Sequence, residues 1–472
     1  FFTGIDSKTI DFSEIRGVIC YITQETNIAT IDNICSNAKR HGILVSIGLD
    51  NSFTFEQAPD ICFRSSPDCY FFGESLTDHQ VPFGAFSMTN NCYKPWNNIN
   101  DCLIHSSTYS GNILALSYIL KKFEPLTLYK PKSKITNRKN TIRLFKKYIN
   151  PHAAIIYETL RLSPPVKSAH GSILEIEKTN GTATISYDCL GNSGCSLRGH
   201  TPANLLETVV YSHDPRQNYT QILEKKLFGL TKLPHLFTAP SGAAAVEIAL
   251  QLSLICMEEG QILTFSNNYA GKALGALPLN GYEGYKAPFQ PLYQNVLFFD
   301  PFQPSALELL QETFTKNQIG LVWFEILQGD TLNEIPEEII KYLKDLQASK
   351  KILIGIDEIL TGCFRTGKFL LSSYFNLQPD VIALSKGLSD MTFPYACVVA
   401  SKDMIAKAKN RAPQTVELFN REFVNSLGAH IALNALEQAE KQKLPNNVQQ
   451  AGKFFKKELG QLIVKNKMIS AV

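Results

Sequence analysis

KILIGIDEILTGCFRTG (residues 351–367), followed by PDVIALSKGLSDMTFPYACVVA (379–400), decides the fold of this 472-residue chain. Each segment opens on a short apolar run, ILIGID or DVIAL, with the length and β-branched content of a buried strand. A worn version stands near the start, as GILVSIGLDN (42–51) and PDCYFFGESLTDHQVPFGAFSM (67–88). Aligned without gaps, the longer segments keep a constant offset of 312 residues: Asp68 meets Asp380, Leu76 meets Leu388, Asp78 meets Asp390 and Pro82 meets Pro394. In that frame Glu74 stands where the later copy has Lys386. In the strand before it, Gly48 stands where the later copy has Asp357. Internal repetition governs how the rest is read: one copy keeps a lysine and an aspartate that the other has lost.

Outward from these segments, strand-like and helical runs alternate. The early copy gives GVICYI, a helical pattern through Ile34 and Ala38, ILVSIG, CYFFGE and FGAFSM. The later copy gives GLVWFEIL, a helical pattern through Ile340 and Leu346, ILIGID, DVIALS and YACVVA. Apolar strands with helices between them predict an α/β fold, a mostly parallel sheet covered by helices. Residues 1–123 form a partial, degenerate first copy. Residues 124–140 (EPLTLYKPKSKITNRKN) are rich in Lys, Pro and Asn and read as a linker. Residues 141–210 open the second copy, with one helical pattern from Thr141 to Leu162 and a hairpin around Asn180-Gly181. Residues 211–435 are its large domain. Residues 436–472 begin a small C-terminal domain with an amphipathic helix, NNVQQAGKFFKKELGQLI.

The composition is that of an ordinary globular protein, 44% hydrophobic and 19% charged, and the net charge of +3 argues for neither nucleic acid nor a membrane surface. No apolar run approaches the roughly 20 residues that span a bilayer. Eleven cysteines without a CxxC pair point away from zinc. They point towards free, mostly buried thiols in a reducing, cytoplasmic compartment. The chain opens FFTGIDSKTI, without Met, and its first copy lacks a front half. Both suggest that the sequence begins inside a longer polypeptide.

Lys386 stands just after the strand VIAL, in SKGLSD, and Asp357 ends ILIGID. Singly, these read as a solvated cap and a loop anchor. Together, one helix-plus-strand unit apart, they fall at the carboxyl edge where parallel sheets place ligands. A desolvated lysine can lose its proton and attack an aldehyde. An aspartate opposite can hold a pyridine nitrogen protonated. PSGAAAVE (240–247) reads as a turn entering a helix. There Gly242 and Ala243 offer backbone N–H groups, and Ser241 a hydroxyl, to an anion. Tyr269, in NNYAGKALGAL, has the flat face a ring could stack on. Each of these also has an ordinary structural reading.

Taken in order, the pieces resemble the class III aminotransferases, pyridoxal-phosphate (PLP) enzymes of fold type I. The resemblance runs from KKYINPHAA (146–154) through GSILEIEKTNGTATISYD (171–188), GHTP (199–202), PSGAAAVEIAL (240–250) and NNYAGKALGALPLNGYEGYKAPFQPL (267–292). It continues through FEILQGD (324–330), IDEILTGCFRTG (356–367) and LSKGLSD (384–390) to the end of the chain. It implies PLP as cofactor, with Lys386 as its imine-forming anchor and proton shuttle. Asp357 would pair with the pyridine nitrogen and Tyr269 would stack on the ring. Ser241, Gly242 and Ala243 would hold the phosphate, and Glu325 and Arg365 would face substrate. The implied activity is transfer of an amino group from an amine or amino acid to an oxo acid. The same scaffold also serves racemases, aminomutases and decarboxylases. There are departures. Leu360 replaces a usual Gln, Ala270 a usual His, and Ala243-Ala244 a hydroxyl residue followed by Glu. These favour the alternative of a decayed scaffold.

In that family the active sites lie between two subunits, and a threonine of the partner helps to hold the phosphate. HSSTYSGN (105–112) resembles the stretch that carries it, with Thr108 in its place. The second copy has REFVN (421–425) there, so Thr108 meets Arg421. The losses are complementary. The resemblance therefore implies a pseudo-dimer within one chain, with one live site (Lys386, Asp357, Tyr269, Ser241 and Thr108). The other site would be dead, uniting Gly48, Glu74 and Arg421, with Glu74 and Arg421 expected to pair as buried ions.

Overall fold

The computed structural model describes the chain except for residues 1–10, 14, 24, 50–65, 104–108, 110, 124–137, 163, 179–180, 204, 211, 258 and 466–472. It divides into two compact units, Phe1–Pro165 and Val166–Val472.

The first unit opens with β1 (Gly17–Ile22), α1 (Ile28–Arg40), β2 (Leu44–Leu49), β3 (Cys69–Phe72) and β4 (Ala85–Met88). Asn27 starts α1 by accepting the N–H of Ala29. Ile31, Ile34, Cys35 and Ala38, at helical spacing, pack on Cys20, Ile22, Val45 and Ile47 of the sheet. The sheet order is β1-β2-β3-β4, parallel except for the last pair. Alternation along β1 buries Cys20 and Ile22 and leaves Ile19 and Tyr21 exposed, and Leu44 and Phe86 are exposed as well. Then come α2 (Ile113–Phe123), α3 (Arg138–Tyr148) and α4 (Pro151–Thr159).

The single helix expected over 141–162 is two helices. Pro151 has no N–H to continue the ladder, and the Asn150 side chain caps the new start by accepting the N–H of Ala153. The same Asn150 donates to the carbonyl of Cys102, and α3 and α4 belong to the first unit rather than opening the second. Most of the expected linker, 124–137, lies outside the described residues, and its last three residues begin α3.

The second unit opens with an antiparallel three-stranded sheet of β5 (Val166–His170), β6 (Ile173–Glu177) and β7 (Ala183–Tyr187). The β6–β7 hairpin is the one expected around Asn180-Gly181. There follow α5 (Tyr219–Thr231), β8 (His235–Ala239), α6 (Gly242–Cys256), β9 (Gln261–Phe265), β10 (Val296–Phe299), α7 (Ala306–Lys316) and β11 (Ile319–Phe324). Next are α8 (Glu337–Ala348), β12 (Leu353–Asp357), β13 (Val381–Leu384), β14 (Ala396–Ala400), α9 (Lys402–Arg411), α10 (Pro413–Glu422), α11 (Ser426–Lys441) and α12 (Leu444–Lys465). The expected boundary at 435/436 falls inside α11.

Seven strands form one sheet in the order β10-β9-β11-β12-β13-β14-β8. Only β14 runs against its neighbours. Along β11, Leu321 and Trp323 face α6, while Val322 and Phe324 face α8, so both sheet faces are core. Each such buried side chain contributes about 1.5–3 kcal/mol, and this layered core holds the carboxyl edge of the sheet in place.

Candidate active site

That carboxyl edge gathers the expected residues. Asp357 ends β12, and Ala383 of β13 is its partner in register, so Lys386 emerges three residues on at the same edge. Ser241 follows β8 and caps α6 by accepting the N–H of Ala244 at 3.3 Å. Tyr269 lies in the loop after β9, and Glu325 directly follows β11.

Electrostatics show that these groups share one neighbourhood. Burial pushes the Asp357 carboxyl up; the N–H of Ile359, which it accepts at 2.9 Å, and the Lys386 ammonium pull it back. Burial raises Glu325 too, and the charge of Asp357 adds to this; the N–H groups of Tyr269 (2.8 Å) and Gly329 (3.1 Å), together with Lys386, oppose it. Asp330 and Cys195 are likewise raised by burial and lowered by Lys386. Burial pushes the Tyr269 phenol up to about 12, with Tyr285, Asp330, Asp357 and Glu325 adding to it. The charge of Lys386 is thus felt by three carboxyls and a thiol.

The turn into α6 is pared of side chains. A Cβ on Gly242 would lie 2.9 Å from Ile359 Cδ1. Gly271 has φ +101, and a Cβ there would lie 2.8 Å from the Cβ of Ala243. A bare helix N-terminus, an amine, a buried carboxylate and an aromatic side chain fit a phosphorylated pyridine aldehyde. Ser241, Gly242 and Ala243 would hold its phosphate, Asp357 its ring nitrogen, Tyr269 its face and Lys386 its carbonyl carbon.

Other expectations change. Arg365 donates to the carbonyls of Gly194 (2.6 Å) and Ser196 (3.1 Å), clamping that segment. Glu325 is placed at the site, but its oxygens are engaged by backbone. Leu360 lies 3.0 Å from where a Cβ on Gly194 would stand and 3.6 Å from where one on Gly329 would. Thr108 lies outside the described residues. Gly48 and Glu74 belong to the first unit, where Glu74 lies 3.8 Å from His79. Arg421 is on α10 with its side chain 77% exposed, bonded to Glu417 at 2.7 Å. Glu74 and Arg421, expected as partners, each have an ionisable partner inside their own unit. The pairing of Arg421 follows from its place one helical turn after Glu417.

Sequence reasoning missed the supports beneath Lys386. Lys386 itself has φ +47, uncommon for a side-chain-bearing residue, and Asp390 closes its turn at φ +49. Asp390 accepts the N–H groups of Leu197 and Arg198 and the Arg198 guanidinium, in an ion pair only 0% and 4% exposed. Glu358 accepts from Thr361, Leu371 and Ser372, folding the loop after β12. Nothing local in the sequence marks a partner 192 residues away.

The Aminotransferase class-III family model matches residues 201–472. The chain belongs to this family. Among its relatives, Aminotransferase PigE of Serratia sp. is 25% identical, over 68% of this chain and 38% of its own length. Acetylornithine aminotransferase of Archaeoglobus fulgidus is 26% identical, over 50% of this chain and 61% of its own length. The chain therefore spans less than two thirds of these two relatives. Ornithine aminotransferase 1 of Staphylococcus aureus is 26% identical over 62% of this chain and 76% of its own length. The taurine:2-oxoglutarate aminotransferase of Bifidobacterium kashiwanohense, solved with PLP and glutamate, shares the fold at a TM-score of 0.60 and 16% identity, covering 71% of this chain and 80% of that one. The Toxoplasma gondii ornithine aminotransferase shares it at 0.58 and 19%, covering 70% and 77%. At such identities these structures speak for the fold of this family member alone: an α/β sheet of the aminotransferase type.

Proposed function

We propose that the second unit binds PLP at the carboxyl edge of its sheet and moves an amino group between an amine or amino acid and an oxo acid. The observation that carries this is the convergence of Lys386, Asp357 and Tyr269 beside the bare turn at Gly242. Bound there, PLP supplies an electron sink for the carbon bearing the amino group. Asp357 holds a proton at the ring nitrogen, and burial keeps that bond away from water. Lys386 Nζ supplies the amine that anchors the cofactor and then moves a proton at the substrate carbon. The N-terminus of α6 orients the phosphate. Family membership and the aminotransferase names of the relatives support transfer over the other PLP reactions.

The test is optical. Protein incubated with PLP is expected to gain a visible absorption band that Lys386→Ala abolishes. Amino donors that bleach the band identify substrates. A protein that takes up no PLP would support the second reading, a decayed scaffold, which the apolar Leu360 in place of the family's usual Gln favours.

A finer proposal rests on sequence alone: Thr108, in HSSTYSGN, lends its hydroxyl to the phosphate held beside Lys386, so that the site is composite. Thr108→Ala is then expected to weaken PLP binding several-fold, with the absorption maximum of the bound cofactor unchanged. Unchanged PLP affinity removes this proposal and leaves the rest standing.

A further inference from the structure

The first unit repeats the second in ways that sheet pairing alone does not require. Strands β1-β2-β3-β4 match β11-β12-β13-β14 in order and sense, two parallel pairs and then an antiparallel one. Asp68 donates its N–H to the carbonyl of Val45 (2.8 Å) and accepts the N–H of Val45 on its carboxylate (2.9 Å). Asp380 makes the same pair of bonds with Ile354, at 2.8 and 2.9 Å. Thr77 closes a turn by donating to the carbonyl of Val81 at 2.6 Å, and Ser389 donates to that of Phe393 at 2.6 Å. Asp78 and Asp390 share left-handed φ values of +48 and +49. Thr89 donates its N–H to the Asp68 carbonyl and caps a helical turn; Ser401 does both at Asp380 and α9. Every pair of equivalents from Asp68 to Thr89 keeps the 312-residue offset.

Against this likeness, the pocket positions have exchanged size. Gly48 pairs with Phe71 in register, as Asp357 pairs with Ala383. A Cβ on Gly48 would stand 2.1 Å from the Phe71 ring. The ring fills the place from which the second unit projects its carboxylate. Glu74, at the position of Lys386, offers no amine.

We infer that the first unit is a second copy of the catalytic sheet edge in which the Phe71 ring fills the place of the carboxylate and Glu74 the place of the lysine, so that this edge holds no PLP of its own. The inference rests on the PLP reading above for what the edge once held, and on these contacts for its loss.

Borohydride reduction of the full chain with saturating PLP, followed by peptide mass mapping, tests it. The expected result is one pyridoxyl group per chain, on Lys386, and no stoichiometric adduct in Lys386→Ala. A stoichiometric adduct within residues 17–123 that persists in Lys386→Ala would overturn the inference. No adduct in either protein would remove the PLP reading of the second unit, while agreeing with a first one that holds none.

Discussion

Arg198 and Asp390 show how much of this site lies beneath the reacting groups. Their charges are buried together against the turn that carries Lys386. Arg198→Ala leaves Asp390 buried without its partner and is expected to cost about 3–5 kcal/mol in thermal unfolding. Gly48→Ala forces a methyl into the Phe71 ring and is expected to cost about 1–3 kcal/mol. Phe71→Ala in the same protein should recover part of that loss, and a double-mutant cycle with no coupling would contradict the packing described. His235 gives a pH test. Burial and then Lys409 lower its pKa, so the unfolded chain takes up the proton first as pH falls. Stability is therefore lost below the ordinary histidine pKa and unaffected above it. His235→Gln should flatten the fall in Tm between about pH 7.5 and about pH 5.5. Lys386, Asp357, Tyr269 and the Ser241 cradle were legible in the sequence because each stands just after a strand or opens a helix. The backbone bonds of Arg365 and Glu325 were not. A guanidinium or carboxyl can turn to nearby backbone as easily as to a ligand, and sequence does not say which.

Strands read well for a related reason. Short β-branched runs bounded by turn residues have few other homes, and β1 to β4 and β11 to β14 form where the apolar runs lie. The helices were less legible. The apolar pattern from Thr141 to Leu162 runs unbroken in hydropathy, yet Pro151 removes a donor and Asn150 caps the start of α4, so backbone chemistry overrode the pattern. The aspartate preceding β3 and β13 is a device that both units use to pin one strand to the next. Asp380→Ala and Asp68→Ala each leave a buried or half-buried N–H without its acceptor. Each should cost about 1–3 kcal/mol, measured by denaturant unfolding. Equal signs of effect at the two sites are expected from the repeated geometry.

Across the chain, the division at Pro165 differs from the one drawn by linker composition, because α3 and α4 pack with residues before them. Ligand linkage provides a test that spans both units. PLP at a hundredfold excess over its Kd adds about 2.7 kcal/mol to whatever part of the chain binds it. In hydrogen-exchange measurements that protection is expected over β8 to β13 and absent from β1 to β4; equal protection of both would contradict a first unit that holds none of its own. Four apolar side chains on one face of the first sheet have a practical consequence. Ile19, Tyr21, Leu44 and Phe86 stand 72%, 61%, 54% and 54% exposed. Exposed apolar side chains beside strand edges invite chains to stick together. Concentrated stocks should show growth in light scattering, and Ile19→Lys should slow it.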